Sequence, residues 1–368
     1  MKKILILILT LFQVNAFCQE NDKKYLFIDT LQSKFLDENQ AIQVYLPPDY
    51  YNSNDIYPLQ VVLGGNSRTR MYYSISEYLS ETYQILELNQ LHTIPESIVV
   101  GLGHAPRNNM ENYRKFVFYE VLPLVDSKYR KCHYKSLVGH SQDGEFVLQS
   151  LFSEESPFHA YFCSAPTNSD YFIGELNNEA NVSFLKNSKK RLLIVASQQD
   201  YFYEENLKLI DTFKKISNGT FLFKSIVKSS DNHHSIFPVS ITDALFFIFN
   251  DWLFTIPDSY NENTTDLFLK HYEILSEKIG LEIAPPEFDF YLLAYLFDVR
   301  KLTEEKIELL KKCKEYYPEA MNADAYLART YYTIGDLKNA MIYNERSISL
   351  NPNNEFAIQT KELIEKKR

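Results

Sequence analysis

Glycine is scarce in this chain. Only 10 of 368 residues are glycine, so each one is expected where the backbone itself needs it. Basic charge is short as well. Lys and Arg number 38 against 48 Asp and Glu, for a net charge of −10. No basic patch is interleaved with aromatics, which excludes nucleic acid as the main partner. No apolar run is long enough to span a bilayer. The run Ile4–Phe12 follows Met1-Lys2-Lys3 and precedes Ala16-Phe17-Cys18-Gln19. Residues 1–18 therefore read as a signal peptide cut after Cys18, and the mature chain as secreted or periplasmic. Phe17 is too bulky for the usual lipidation site at Cys18. Cysteine is rare. Once Cys18 leaves, Cys132, Cys163 and Cys313 remain. Their odd count and wide spacing exclude a disulfide framework or a metal site, and they read as small buried hydrophobes. What is plentiful is aromatic surface, with 27 Tyr and 26 Phe.

The length suits two domains. Up to about Trp252 short apolar strands alternate with helical patterns. The strands read as Lys24–Asp29, Ala41–Leu46, Pro58–Leu63, Ser97–Leu102, Tyr134–Val138, Ala160–Ser164, Arg191–Ala196 and Phe221–Val227. Helices read as Ile75–Leu86, Tyr113–Tyr129 with a bend at Pro123, a segment from Ser141 to about Phe152, Glu205–Ile216 and Ile241–Trp252. This alternation predicts an α/β fold with a mostly parallel central sheet covered on both faces. Residues 19–253 form that domain, and residues 254–284 a linker and connecting helix. Residues 285–368 are purely helical in pattern. Pro318 and Pro352 stand 34 residues apart, as do Ala294 and Ala328. That is the tetratricopeptide period. Two such units are few for a free solenoid, so the tail is expected to pack on the first domain. Its repeats also offer a surface for a protein partner.

The stretch Ser136-Leu137-Val138-Gly139-His140-Ser141-Gln142-Asp143-Gly144 has the form of a nucleophile elbow. A strand ends in glycine, a serine sits on the turn, and a helix follows. Serine needs a base, and the base needs an orienting acid. Asp200 and His233 follow later strands in the order Ser, acid, His. Glu204 is the alternative acid. The adjacent His233 and His234 have no carboxylate or cysteine partner at metal-ligand spacing, so no metal is expected. An oxyanion hole needs two N–H donors. One is expected from Gln142, the other from Gly65 or Asn66 in Gly64-Gly65-Asn66.

With these residues the chain resembles the esterase D (enterochelin esterase-like) family of α/β-hydrolases. The resemblance rests on Ile42-Gln43-Val44-Tyr45-Leu46-Pro47-Pro48-Asp49-Tyr50, Tyr57-Pro58, Leu63-Gly64-Gly65 and Val100-Gly101-Leu102 with Arg107. It continues through Glu120-Val121-Leu122-Pro123, Tyr129-Arg130, Gly139-His140-Ser141 and His233-His234-Ser235, and covers roughly residues 25–253. The family's His-x-Ser pattern implies His233 as the base. The resemblance implies a serine esterase acting on a small-molecule or glycan ester with no cofactor. Asp143 stands where the elbow usually has glycine, Gly64 where an aspartate is common, and the segment after Arg107 is short. These departures admit a rival reading, a worn hydrolase scaffold that binds a partner through its repeats. The first also sets an expectation: Asp143 should crowd the elbow and oppose negative charge at the oxyanion, so Asp143→Gly should raise activity.

Overall fold

The computed structural model describes residues 26–51, 53–81, 94–257 and 263–367. The signal-peptide reading of residues 1–18 lies outside them.

Eight strands form one sheet: β1 Leu26–Gln32, β2 Asn39–Tyr45, β3 Tyr57–Leu63, β4 Ile98–Leu102, β5 Lys131–His140, β6 Ala160–Ser164, β7 Arg191–Ser197 and β8 Leu222–Lys228. Their order across the sheet is β1-β2-β4-β3-β5-β6-β7-β8. β1 and β2 pair antiparallel, as do β2 and β4, and every other pair is parallel. Every residue of β3, β4, β6 and β7 is buried. That is why these strands read as mostly apolar runs: parallel strands covered on both faces have no solvent-facing side.

Helices join the parallel strands. α1, Asn66–Glu81, follows β3. It starts at Asn66 and not, as its apolar spacing implies, at Ile75. Its first turn is polar and shows no hydrophobic period, but Thr69, Tyr72, Tyr73 and Ser76 form a buried face behind it. The expected end near Leu86 lies outside the described residues. Next come α2, Met110–Phe116, and α3, Leu122–Lys128, joined by a π-helical stretch, Val117–Val121. The stretch absorbs Pro123, which has no N–H to donate and whose ring crowds the preceding turn. α4, Gln142–Leu151, leaves β5. The short helices α5, Ser169–Glu175, and α6, Glu179–Lys186, lie between β6 and β7. α7, Tyr203–Ile216, and α8, Ile241–Ile248, complete the layers. This is the α/β-hydrolase fold. Cys132, Cys163 and Cys313 are buried free thiols.

The rest is helical: α9 Thr264–Ile279, α10 Glu287–Arg300, α11 Thr303–Tyr316, α12 Met321–Thr333, α13 Leu337–Leu350 and α14 Glu355–Lys367. Ala328 of α12 and Ala340 of α13 are fully buried. Small side chains let the two backbones approach. Pro318 and Pro352 follow the ends of α11 and α13. These helices are not a separate bead. One apolar cluster runs from Tyr134 of β5 through Phe249, Trp252 and Phe254 to Phe268, Phe290 and Leu309. Asp251 accepts hydrogen bonds from Arg191 of β7 and Lys278 of α9, each at 2.6 Å.

A second seam lies at the start of α10. Asp55 Oδ1 accepts the Glu287 N–H at 2.6 Å, and Glu287 Oε2 accepts the Asn54 N–H at 3.1 Å. Asp55, Glu287 and Asp289 are all buried. Burial pushes the Asp55 carboxyl from 3.8 up to about 7. The neighbouring Glu287 and Asp289 carboxylates push the same way, while the Glu287 N–H and the Tyr317 hydroxyl oppose. Between these two values the folded seam binds more protons than the unfolded chain, so stability falls as pH rises through that window. The melting temperature should therefore drop between pH 5 and pH 8. Asp55→Asn, which still accepts the Glu287 N–H, should flatten that slope. An unchanged slope would show that Asp55 does not titrate there.

Candidate active site

β5 delivers Ser141 to the carboxyl edge of the sheet on a strained turn. Its φ is 59° and its ψ −119°, a conformation that side-chain-bearing residues seldom adopt. The surroundings enforce it. The Ser141 N–H donates to the Ser164 carbonyl at 2.9 Å, and the Ser141 carbonyl accepts from Glu145 N–H at 3.0 Å and Thr167 N–H at 3.3 Å. A Cβ on Gly139 would lie 2.3 Å from the Asp143 carbonyl oxygen, so only glycine fits there. The buried Glu145 accepts from Thr167 Oγ1 at 2.9 Å and Asn168 Nδ2 at 3.0 Å, tying α4 to the loop after β6.

His233 and Asp200 meet Ser141 in line. His233 Nε2 lies 2.9 Å from Ser141 Oγ, and His233 Nδ1 lies 2.8 Å from Asp200 Oδ2. The Asp200 side chain is fully shielded from solvent, while that of His233 is 23% exposed. The other Asp200 oxygen accepts the Phe202 N–H at 3.0 Å. A carboxylate can only accept, so Nδ1 carries the proton and the Nε2 lone pair faces the serine. Asp200, not Glu204, is the acid beside His233. Asn232 and Ser235 shape the loop: Asn232 Oδ1 accepts the N–H groups of His234 and Ser235, and Ser235 Oγ accepts the Asn232 N–H. His234 points into solvent.

His140 packs 4.7 Å from the His233 ring, centroid to centroid. Burial, with help from the positive charge of Arg68, pushes its pKa down to about 3. It therefore stays neutral beside His233.

The expected oxyanion donors lie on two helix starts. Gln142 opens α4 and Asn66 opens α1, where backbone N–H groups have no intrahelical partner. The Gly65 N–H is already used, donating to the Leu102 carbonyl at 2.9 Å. Of the two residues expected from that loop, Asn66 is the one whose position at the helix start fits. Its side-chain oxygen accepts from Gln43 Nε2.

Asp143 does not stand as expected. It is 1% exposed and fully partnered, by Arg68 Nη1 at 2.6 Å, His104 Nδ1 at 2.9 Å and the Ala105 N–H at 3.0 Å. Its charge is matched by Arg68 and does not face an oxyanion bare. Nor does position 143 make the tight approach to the next strand. Gly144 does, where a Cβ would lie 3.1 Å from Cys163 Sγ and 3.3 Å from Pro166 Cα. The helix starts directly at Gln142, so residue 144 turns toward β6 and residue 143 toward α1 and the loop after β4. Arg68 and His104 had no signal in the sequence, because nothing local marks them as partners of residue 143.

Among the described residues no cluster of three or more His, Cys, Asp or Glu side chains could hold a metal ion, and no helix is long and apolar enough to cross a membrane. A cavity of about 860 Å³ lies between the tail and the start of the sheet, lined by Tyr57, Trp252, Tyr317 and Phe356 among others. It includes none of Ser141, Asp200 and His233.

The family model described as putative esterase matches residues 33–210. That segment holds Ser141 and Asp200 but ends before His233. A comparison with curated proteins gave no match. Solved structures share the fold. An IroE-like serine hydrolase from Shewanella oneidensis aligns with a TM-score of 0.66 at 20% identity, over 79% of this chain and 99% of its own. An uncharacterised protein from Capnocytophaga ochracea aligns with a TM-score of 0.61 at 17% identity, over 93% and 98%. The siderophore hydrolase EstA from Aspergillus nidulans aligns with a TM-score of 0.51 at 14% identity, over 61% and 94%. The family match thus covers less than half of the chain, and the solved structures show a shared fold.

Proposed function

We propose that this protein is a secreted serine esterase that works through an acyl-enzyme. The observation that carries the reading is the line from Ser141 Oγ through His233 to Asp200, with both bonds under 3 Å. His233 Nε2 takes the Ser141 proton as Oγ attacks the ester carbonyl. The N–H groups of Gln142 and Asn66 hold the resulting oxyanion. His233 then gives the proton to the departing alkoxide, the C–O bond breaks, and the acyl group stays on Ser141. Water repeats the sequence with His233 as base, releasing the acid and the free serine. Asp200 holds His233 in the needed tautomer throughout. The substrate is read as a small-molecule or glycan ester. The reading includes export by the N-terminal signal and a tail of tetratricopeptide type, whose repeats would bind a protein partner.

A fluorophosphonate probe tests it, since only an activated serine labels. The mature chain should label at Ser141 and turn over at least one member of a panel of p-nitrophenyl esters, aryl esters and acetylated sugars. A folded chain that neither labels nor turns over any of them would favour the scaffold reading.

A further inference from the structure

Asp143 ties two segments to the helix it sits on. Oδ1 accepts the Ala105 N–H in the loop after β4. Oδ2 accepts from His104 of that loop and from Arg68 in the first turn of α1. Arg68 Nη1 donates a second bond, at 2.9 Å, to the carbonyl of Leu63, the last residue of β3. The guanidinium fills the space beside Gly64, where a Cβ would lie 1.9 Å from Nη1. Gln142 Nε2 adds a bond to the Ala105 carbonyl. Two departures from the family pattern, Gly64 and Asp143, thus meet through one arginine.

We propose that Asp143 is a positioning residue that fixes the spacing of the oxyanion donors. This rests on the serine-esterase reading above. β3 and β5 are neighbours in the sheet, and the two donors, Asn66 and Gln142, open the helices that follow them. Arg68 lies two residues past Asn66, and Asp143 lies one past Gln142. The bond between Arg68 and Asp143 therefore spans the gap the substrate oxygen must bridge. An oxyanion hole stabilises charge only when its donors are already in place, because moving them during the reaction costs the energy they would supply. The clamp is charge-assisted and buried at its Asp143 end, so it is strong and short. His104, mostly exposed, takes a supporting place. Its bond to Asp143 raises its pKa, which favours a cation on the outer side of the carboxylate.

The test uses Asp143→Asn, Asp143→Gly and Arg68→Gln in the full mature chain on a small aryl ester. Active sites are counted with the fluorophosphonate so that misfolded protein does not enter kcat. Each variant should lose at least tenfold in kcat per active site with KM within about twofold, because the oxyanion exists only in the transition state. Asp143→Gly falls with the others, although it restores the family glycine. The double variant of Asp143→Asn with Arg68→Gln should be no worse than the poorer single one, as expected for two ends of one bond. If Asp143→Asn does not fold, Arg68→Gln alone decides. Wild-type kcat in a folded variant, or a loss carried wholly by KM, would overturn the inference. A wild-type chain that neither labels nor turns over would sink the esterase reading instead, and this inference with it.

Discussion

Ser141→Ala should lose about a millionfold in kcat and keep its fold. Removing an activated serine costs on that order, because the remaining groups cannot form the acyl-enzyme. What is left is binding and the oxyanion hole, worth roughly 10³–10⁴ over water. The fold should survive for a geometric reason. Serine and alanine both carry a Cβ, so the strain at φ 59° is the same for either. The Ser141 hydroxyl bonds to His233, while the turn is held by the backbone bonds of Ser141 to Ser164, Glu145 and Thr167. Circular dichroism and the melting temperature should match the parent, and fluorophosphonate labelling should vanish. Near-parental turnover by a folded Ser141→Ala chain would end the esterase reading.

The parts of this site that were legible in the sequence are those that local chemistry dictates. A buried strand followed by Gly-His-Ser leaves few conformations open, because Gly139 must lie against the Asp143 carbonyl. Ser141, Asp200 and His233 could be picked out because each follows a strand, and a parallel sheet brings all its strand ends to one edge. The central strands were legible because they are buried on both faces and mostly apolar. The start of α1 was not, since its first turn is polar: Asn66 bonds Gln43 of β2 and Arg68 bonds Asp143 of α4, which leaves no apolar period to read. The use of the Gly65 N–H by Leu102 was also invisible, because it depends on how closely β3 and β4 end together.

Asp143 shows the limit most clearly. From sequence it is a carboxylate at a helix start, where the dipole welcomes it, close to a site that should repel it. The repulsion argument assumes an unpartnered charge. Arg68 is 75 residues away in sequence and shares no motif with it, so the pair exists only once β3 and β5 lie side by side. A departure from a family pattern reads as damage until the compensating residue is seen.

His233→Ala should be as damaging as Ser141→Ala, about a millionfold in kcat, while His234→Ala should stay within about threefold of the parent. The two residues are adjacent and chemically identical, so only geometry separates them. His233 has one nitrogen on Ser141 and the other on Asp200. His234 is exposed, and its ring sits edge-on to His233 at 5.5 Å. The His234 N–H does shape the loop, through Asn232, but alanine keeps that N–H. Without His233, the serine has no base to take its proton and the leaving group has no acid to receive it from, so one loss blocks both halves of the reaction. The losses should also fail to add. Ser141→Ala with His233→Ala should be no slower than either alone, because the two groups act as one unit. Steady-state turnover of a p-nitrophenyl ester by all three variants measures this. A severe His234→Ala with a mild His233→Ala would mean that the base in solution is His234, and that the loop from Asp231 to Ser235 sits one residue out of register.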